Sequence, residues 1–402
     1  MFGTRRLRAT SIICRATIHA RRESQEIEED PKMKISRSVV TLIALALTLA
    51  CSHTSLAQQP AEPPDMTIDA DARSEVINGL LKKLNDAYVF PEVAKKMEQA
   101  IRDRVQKKEY DSVTSALKFA ETLTTHLQEV SHDKHLRVSY SHDPILPESA
   151  RREPSPEERE RYLSFLRSLN FGFEKVERLS GNVGYLDLRG FLDADLGGET
   201  VVAAMNFVAN TDALIIDLRH NGGGSPAMVA LISSYLFNEP THLNDLYWRE
   251  GEETHQWWTS PYVPGKRYGD KDVYILTSNR TFSAAEEFTY NLKNLKRATI
   301  VGETTGGGAH PGGPSRINSH FAVWVPRGRA INPISKTNWE GVGVEPDVKV
   351  PANEAFKTAH LAALNKIAER TSDQRRKDQL KSAAQTLQKE LDELRKNKKP
   401  NP

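Results

Sequence analysis

Cysteine is almost absent. Cys14 and Cys51 are the only two in 402 residues, and both precede residue 58. The rest of the chain therefore has no disulfide framework, no thiolate metal site and no cysteine nucleophile. A dominant charge sign is lacking as well. The formal net charge is +2, yet residues 1–57 hold nine Lys/Arg against five Asp/Glu, which leaves the remainder near neutral to faintly acidic. Such a balance gives no argument for a nucleic-acid partner. With 38% hydrophobic and 27% charged residues, 23 Gly and 21 Pro, the chain is neither collagen-like nor wholly disordered.

Long apolar runs are also missing. The twelve uncharged residues Val39–Ala50 fall short of the roughly 20 that a membrane-crossing helix needs. They follow Met33, Lys34 and Arg37 and precede Ser55-Leu56-Ala57, the order of a basic region, an apolar core and a small-residue cleavage site. This predicts a signal peptide read from Met33, cleavage near Ala57, a secreted or periplasmic mature protein, and no transmembrane anchor after processing. The rival reading is a lipoprotein anchored at Cys51; Thr48 stands where that signal usually has leucine.

Beyond a Pro-rich linker at 58–70, apolar residues recur at helical spacing. Val76, Leu80, Leu81 and Leu84 form one set, Val93, Met97 and Ile101 a second, and Leu117, Leu123 and Leu127 a third. Pro91 is placed to start the second helix, and Asp111-Ser112 lead into the third. The spacing predicts a small helical subdomain over 71–140, and a polar connection over 141–170. From 171 to 352 buried-strand patterns (183–188, 213–218, 273–276, 299–301) alternate with helical stretches near 198–209, 226–237 and 284–295. That alternation predicts an α/β core with a largely parallel sheet. Phe321–Val325 and Val348–Val350 read as later, partly antiparallel strands. Residues 353–402 return to helix, with Leu380, Leu387, Leu391 and Leu394 on one stripe, the pattern of a docking helix or a modest coiled coil through which copies of the chain could associate.

Four segments carry candidate chemistry. In Thr277–Phe288 a strand ends and a helix begins at or after Ser283. That places a hydroxyl at the carboxyl edge of the sheet, beside first-turn N–H groups suited to an oxyanion. Ser283 and Glu286 equally spell a capping box, which needs no catalysis. The run Asp217–Pro226 holds three glycines that let backbone N–H groups approach a ligand, or simply make a tight strand-to-helix turn. Ser131–Val138 offers His132 and His135 as general bases. The same segment could be surface packing or, with Asp133 and His142, a metal site; no second carboxylate–histidine cluster joins it, and no metal is expected. Asn338–Asp347 offers Glu340 or Glu345 to orient a histidine, or only a turn-rich connection.

The order of the blocks is more informative than any one of them. SHDKHL, GNVGYLDLRGF, ALIIDLRHNGGG, LTSNRTFSAAEEF, VGETTGGG and GVGVEPDVKV together resemble the tail-specific (C-terminal processing) serine peptidase family. The resemblance is greatest to its branch containing the tricorn core and the interphotoreceptor retinoid-binding protein modules, and it spans about residues 75–352. It implies a Clp-protease/crotonase-like ββα core preceded by a helical subdomain. It further implies Ser283 as nucleophile, His135 as base, Glu340 as the orienting acid, and oxyanion donors at Ala284 and at Gly222 or Gly223, with Ser131 as an auxiliary hydroxyl. No lysine follows the VGETT block, which disfavours a Ser–Lys mechanism. The stretch between His135 and Gly181 is too short for a PDZ module. The expected activity is cofactor-free hydrolysis of peptide bonds in peptides or unfolded proteins. The alternatives are a non-catalytic module of the same fold that binds hydrophobic ligands, and, less favoured, a crotonase-type acyl-CoA enzyme.

Overall fold

A local rule starts the first helix, α1 (Ala70–Ala87): the Asp69 carboxylate accepts the Ala72 N–H at 2.8 Å, satisfying an orphan donor of the first turn. In this computed structural model residues 64–147 and 152–397 are described, so the signal-peptide reading of 1–57 lies outside the described residues. Helix α2 (Pro91–Gln106) begins at proline, as expected. Helix α3 (Ala116–Ser131) is capped by Ser115, whose hydroxyl accepts the Lys118 N–H at 3.0 Å, a few residues later than Asp111-Ser112 suggested.

These helices do not close a core by themselves. Leu80, Leu84, Met97, Phe119 and Leu123 pack with Leu136 and with Val138 of strand β1 (Arg137–Tyr140). They also pack on Phe321, Val323 and Val325 of β10 (Phe321–Pro326), about 190 residues further along. Strands β1, β10 and β9 (Gly312–Arg316) form an antiparallel sheet in that order. The helical segment is thus welded to a strand pair from the far end of the core, and everything between β1 and β9 hangs from that weld.

The stretch read as a polar connection contains a helix, α4 (Pro156–Ser168). It is opened by a Ser155–Glu158 capping box and buries only Leu166 of its own residues, too little to leave an apolar period. The core sheet then takes β2 (Phe173–Leu179), β3 (Val183–Leu188), β4 (Ala213–Asp217), β7 (Asp272–Thr277), β8 (Thr299–Gly302) and β12 (Val348–Lys349). Their order is β12-β8-β7-β4-β3-β2. All neighbours are parallel except β2 and β3, so the last strand, expected to be partly antiparallel, pairs parallel with β8.

Every residue of β3 and β4 is buried because both faces are covered. Leu186, Leu214 and Ile216 face α5 (Ala194–Val208), α6 (Pro226–Ser234) and α7 (Ala284–Asn294). Val183, Tyr185 and Ile215 face α8 (Ala352–Arg370) and α9 (Gln374–Lys396). Leu380 and Leu391 of the C-terminal stripe are each 2% exposed, so much of the stripe docks within its own chain. A third, antiparallel sheet, β11-β5-β6, joins β5 (His242–Trp248) and β6 (Glu253–Trp258) to β11 (Gly328–Ile331). Among the described residues no helix is long and apolar enough to cross a membrane.

The shared core predicts that the helical segment melts together with the β1–β10–β9 sheet. Phe119 is fully buried and meets Phe321 edge-on at 6.3 Å between ring centroids. Phe119→Ala should lower unfolding free energy by about 3–5 kcal/mol. Urea denaturation followed by far-UV circular dichroism and by tryptophan fluorescence should report one coincident transition; two separated transitions would show independent cores.

Candidate active site

Strands β4, β7 and β8 are neighbours and parallel, so the loops leaving their carboxyl ends converge on one edge of the sheet, where open α/β sheets place their sites. The β4 loop carries the glycines, the β7 loop carries Ser283, and the β8 loop runs through Gly306-Gly307-Gly308 to His310. Backbone and hydroxyl bonds stitch the three. The Phe282 N–H donates to the Asn221 carbonyl at 3.1 Å, the Gly306 N–H to the Thr281 carbonyl at 2.9 Å, and the Thr281 hydroxyl to the Leu218 carbonyl at 2.8 Å.

Ser283 is the cap residue of α7 and sits at φ 56°, ψ −122°, a conformation that L-residues avoid. Such backbone costs on the order of 1–3 kcal/mol and persists only where its surroundings over-determine it. Glu286 is the main constraint. Its carboxylate accepts the Ser283 N–H at 2.9 Å, the Gly308 N–H at 2.8 Å, the Gly307 N–H at 2.6 Å and the Thr305 hydroxyl at 2.5 Å. Burial raises its pKa, and these four donors oppose the rise. The capping box is therefore present in its Glu286 half, and that half ties the serine turn to the β8 loop.

Ser283, Ala284, His135 and Gly224 line one cavity of about 270 Å³, whose walls are Leu246, Trp248, Ala330 and Trp339. The loop glycines divide their tasks. Gly223 holds φ at +109°, and a Cβ there would come within 2.7 Å of the Ser283 Cβ. Its N–H donates to the Asn221 side chain at 2.9 Å, while Gly222 and Gly224 on either side are both exposed. Neither of the two glycines expected to donate lines the cavity. Gly224 does, and its N–H and that of Ala284 meet no acceptor among the described residues.

The helical segment brings in the two candidate histidines. His132 caps α3 in the left-handed region and is exposed. His135 is turned inward, its ring 4.6 Å from that of Phe282 and close against Gly308. Burial chiefly drives its pKa down to about 4, with the Asp133 carboxylate opposing. Its Nδ1 is buried with no hydrogen-bond partner, and so is Oε1 of Glu340. One nitrogen of His135 and one carboxylate oxygen each of Glu340 and Asp133 lie within 4.8 Å of one another. Glu340 is held by the Ala309 N–H at 2.5 Å, and burial together with Asp133 pushes its pKa up to about 7. Glu345 is exposed and uses its backbone carbonyl to accept from Lys293. Ser131 stands apart from the cavity; its hydroxyl accepts the Asp133 N–H at 3.2 Å.

Three groups were not assigned a part beside Ser283 by the sequence, Asp133 having been weighed only as a metal ligand. Asp133, fully buried, accepts the His135 N–H at 3.0 Å, the Tyr88 hydroxyl at 3.2 Å and a His310 ring nitrogen at 2.8 Å. His310 also comes within 3.5 Å of Glu340. Tyr88 arrives from the end of α1. Their signal lay in the blocks SHDKH and TGGGAH, but partners separated by 45 and 177 residues carry no spacing to read. Asp133, His135 and Glu340 are also the one group among the described residues that could offer three ligand atoms to a metal ion. Asp133 already accepts three hydrogen bonds, and Glu340 one, from protein donors.

With that geometry in place, comparison with known proteins is direct. Residues 182–350 match the model of peptidase family S41, and residues 68–166 match that of the N-terminal domain of peptidase S41 in eukaryotic IRBP. Together they take in more than half of the chain, which belongs to peptidase family S41. At family level this makes it a serine peptidase fold. A peptidase-like protein from Parabacteroides merdae ATCC 43184 is similar in fold, with a TM-score of 0.51 at 19% identity over 69% of this chain and 90% of that one. Weaker likenesses include a lipoprotein from Streptococcus agalactiae (TM-score 0.48, 14% identity, 76% of this chain and 98% of that one). Another is the photosystem II D1 C-terminal processing protease (TM-score 0.42, 14% identity, 71% and 94%).

The positive φ of Ser283 yields a test of strain. In ordinary backbone, glycine is less stable than alanine by about 0.5–1 kcal/mol. Here the order should invert, with Ser283→Gly more stable than Ser283→Ala by about 1 kcal/mol, as read from paired urea denaturation midpoints.

Proposed function

We propose that the protein hydrolyses peptide bonds by acyl transfer from Ser283. The observation that carries this reading is a serine in strained backbone sharing one cavity with a desolvated histidine, with a carboxylate oxygen within 4.8 Å of a nitrogen of that histidine. In this mechanism the Ser283 hydroxyl attacks the carbonyl carbon while His135 takes its proton. The oxyanion meets the N–H groups of Ala284 and Gly224. Collapse of the tetrahedral adduct expels the amine, which leaves with the proton from His135, and water repeats the sequence on the acyl-enzyme. Glu340 orients the imidazole and stabilises the imidazolium. Each oxyanion donor is worth about 3 kcal/mol of barrier. The substrates are peptides or unfolded protein segments, since the cavity admits a side chain rather than a folded domain. Export through the amino-terminal signal completes the proposal.

The apolar wall of Leu246, Trp248 and Trp339 favours one second reading, a carrier of lipophilic ligands with the same fold. The two part on reactivity. A fluorophosphonate probe should label the parent at Ser283 and leave Ser283→Ala unlabelled, and Ser283→Ala should lower kcat on a casein-derived peptide by roughly 10⁶-fold. A parent that neither labels nor cleaves belongs to the carrier reading.

The pH profile gives an independent check. A carboxyl whose pKa is raised to about 7 is protonated, and useless for stabilising imidazolium, below that pH. Activity is then present above about pH 7 and lost as the pH falls through it, roughly tenfold per unit. His135 stays neutral across this window because its own pKa is low. The charged or titratable groups facing Glu340 are Asp133, His310, His135 and Glu286. In Glu340→Gln the limb should vanish from whatever kcat/KM remains; an unchanged limb would assign it to another group.

A further inference from the structure

Two consecutive glutamates on α7 are treated oppositely. Glu286 is satisfied by four donors. Glu287, 4% exposed, has no hydrogen-bond partner at Oε1. Its neighbour Asn244, on β5 and fully buried, is the one side chain whose hydrogen bonding reaches Glu287, in a geometry looser than an ordinary hydrogen bond. Burial pushes the Glu287 pKa up to about 7, opposed only by the hydrogen bonding of Asn244; no lysine or arginine side chain offsets it. Glu287 is one helical turn beyond Ser283, so both project from the same face of α7, and both line the cavity. An unpaired buried carboxylate is costly, and a neutral side chain of the same volume would pack there without that cost. Among the described residues no cationic side chain pairs with it.

We propose that this cavity receives the substrate side chain adjoining the attacked carbonyl, and that Glu287 selects lysine or arginine at that position. The inference rests on the acyl-transfer reading, which sets the carbonyl at Ser283. The aliphatic stem of the substrate residue would lie along Leu246, Ala330, Trp248 and Trp339, whose indole faces also favour a cation. Its charged head would meet the open carboxylate oxygen and supply the missing partner. Discrimination is steep in such sites, because an apolar side chain of equal length leaves the buried carboxylate unpaired. The specificity-determining residue is thus on the same helix as the nucleophile, fixed in register with it by one turn.

The test reads binding apart from turnover. On full-length Ser283→Ala, calorimetry should show an acetyl-Ala-Ala-Lys methylamide peptide binding at least about 30-fold more tightly than its norleucine counterpart, the scale expected when a polar site loses its partner. Adding Glu287→Gln should bring the two within about threefold. Equal binding of the two peptides by Ser283→Ala, or an undiminished ratio in Glu287→Gln, would overturn the assignment. Thermal melting verifies that Glu287→Gln folds; should it melt early, Glu287→Met supplies the same comparison. A parent inert to fluorophosphonate but selective for lysine would remove the hydrolase reading and leave the subsite. A reactive parent without selectivity would remove the subsite alone.

Discussion

One carboxylate holds the active-site edge together. Glu286 gathers four donors, three of them on the β8 loop and the fourth on the strained serine turn. Buried charge of this kind is costly unless its lone pairs are occupied, and here they are. The result is that loops from two neighbouring strands behave as one rigid piece. Ser283 is held in a backbone conformation it would not adopt alone, and Gly308 is pressed against both Phe282 and the His135 ring. A cap that stabilises a helix in the usual way serves here to set the position of the Ser283 turn against the β8 loop.

The other half of the site is assembled from outside the parallel sheet. Asp133 and His135 come from the turn after α3, Tyr88 from the end of α1, and all three depend on a core completed by β10. Ser283 and His135 therefore come from segments anchored in different hydrophobic clusters and approach each other across the β8 loop. Lys134 adds a further tie, its ammonium donating to the Gly306 carbonyl at 2.5 Å. Convergence from two cores explains why the imidazole is so thoroughly desolvated: it is closed in from the helical side and from Phe282 on the sheet side.

Much of the sheet was legible because its strands are buried on both faces and read as unbroken apolar runs. Val183–Leu188 and Ala213–Asp217 are the plainest cases. Strand β9, Gly312–Arg316, was not, because glycines and a proline carry no strand signal and pairing with β10 imposes the extended form. Strands β5 and β6 interleave charge with Trp and Leu, and α4 buries too little to mark a period. Ser283, His135 and Glu340 stood out through motif order; in the structure His135 and Glu340 come close to one another and are partly buried, while His132 and Glu345 are exposed. That the Gly223 N–H is taken by the Asn221 side chain, while Gly224 lines the cavity, has no spacing in the sequence to announce it. Asp133, His310 and Glu286 each have a contact that joins segments far apart in the chain, which local spacing does not reveal.

The reach of Tyr88 into the buried Asp133 cluster bears on how the amino-terminal helices should be regarded. They look like an appendage placed ahead of a self-sufficient hydrolase core, the sort of segment that maturation clips away. Because Tyr88, just after α1, donates to Asp133, whose carboxylate in turn accepts the His135 N–H, a nick upstream of residue 88 would loosen that imidazole while leaving the serine turn intact. Limited digestion in that stretch would dismantle a buried cluster rather than trim a spare appendage.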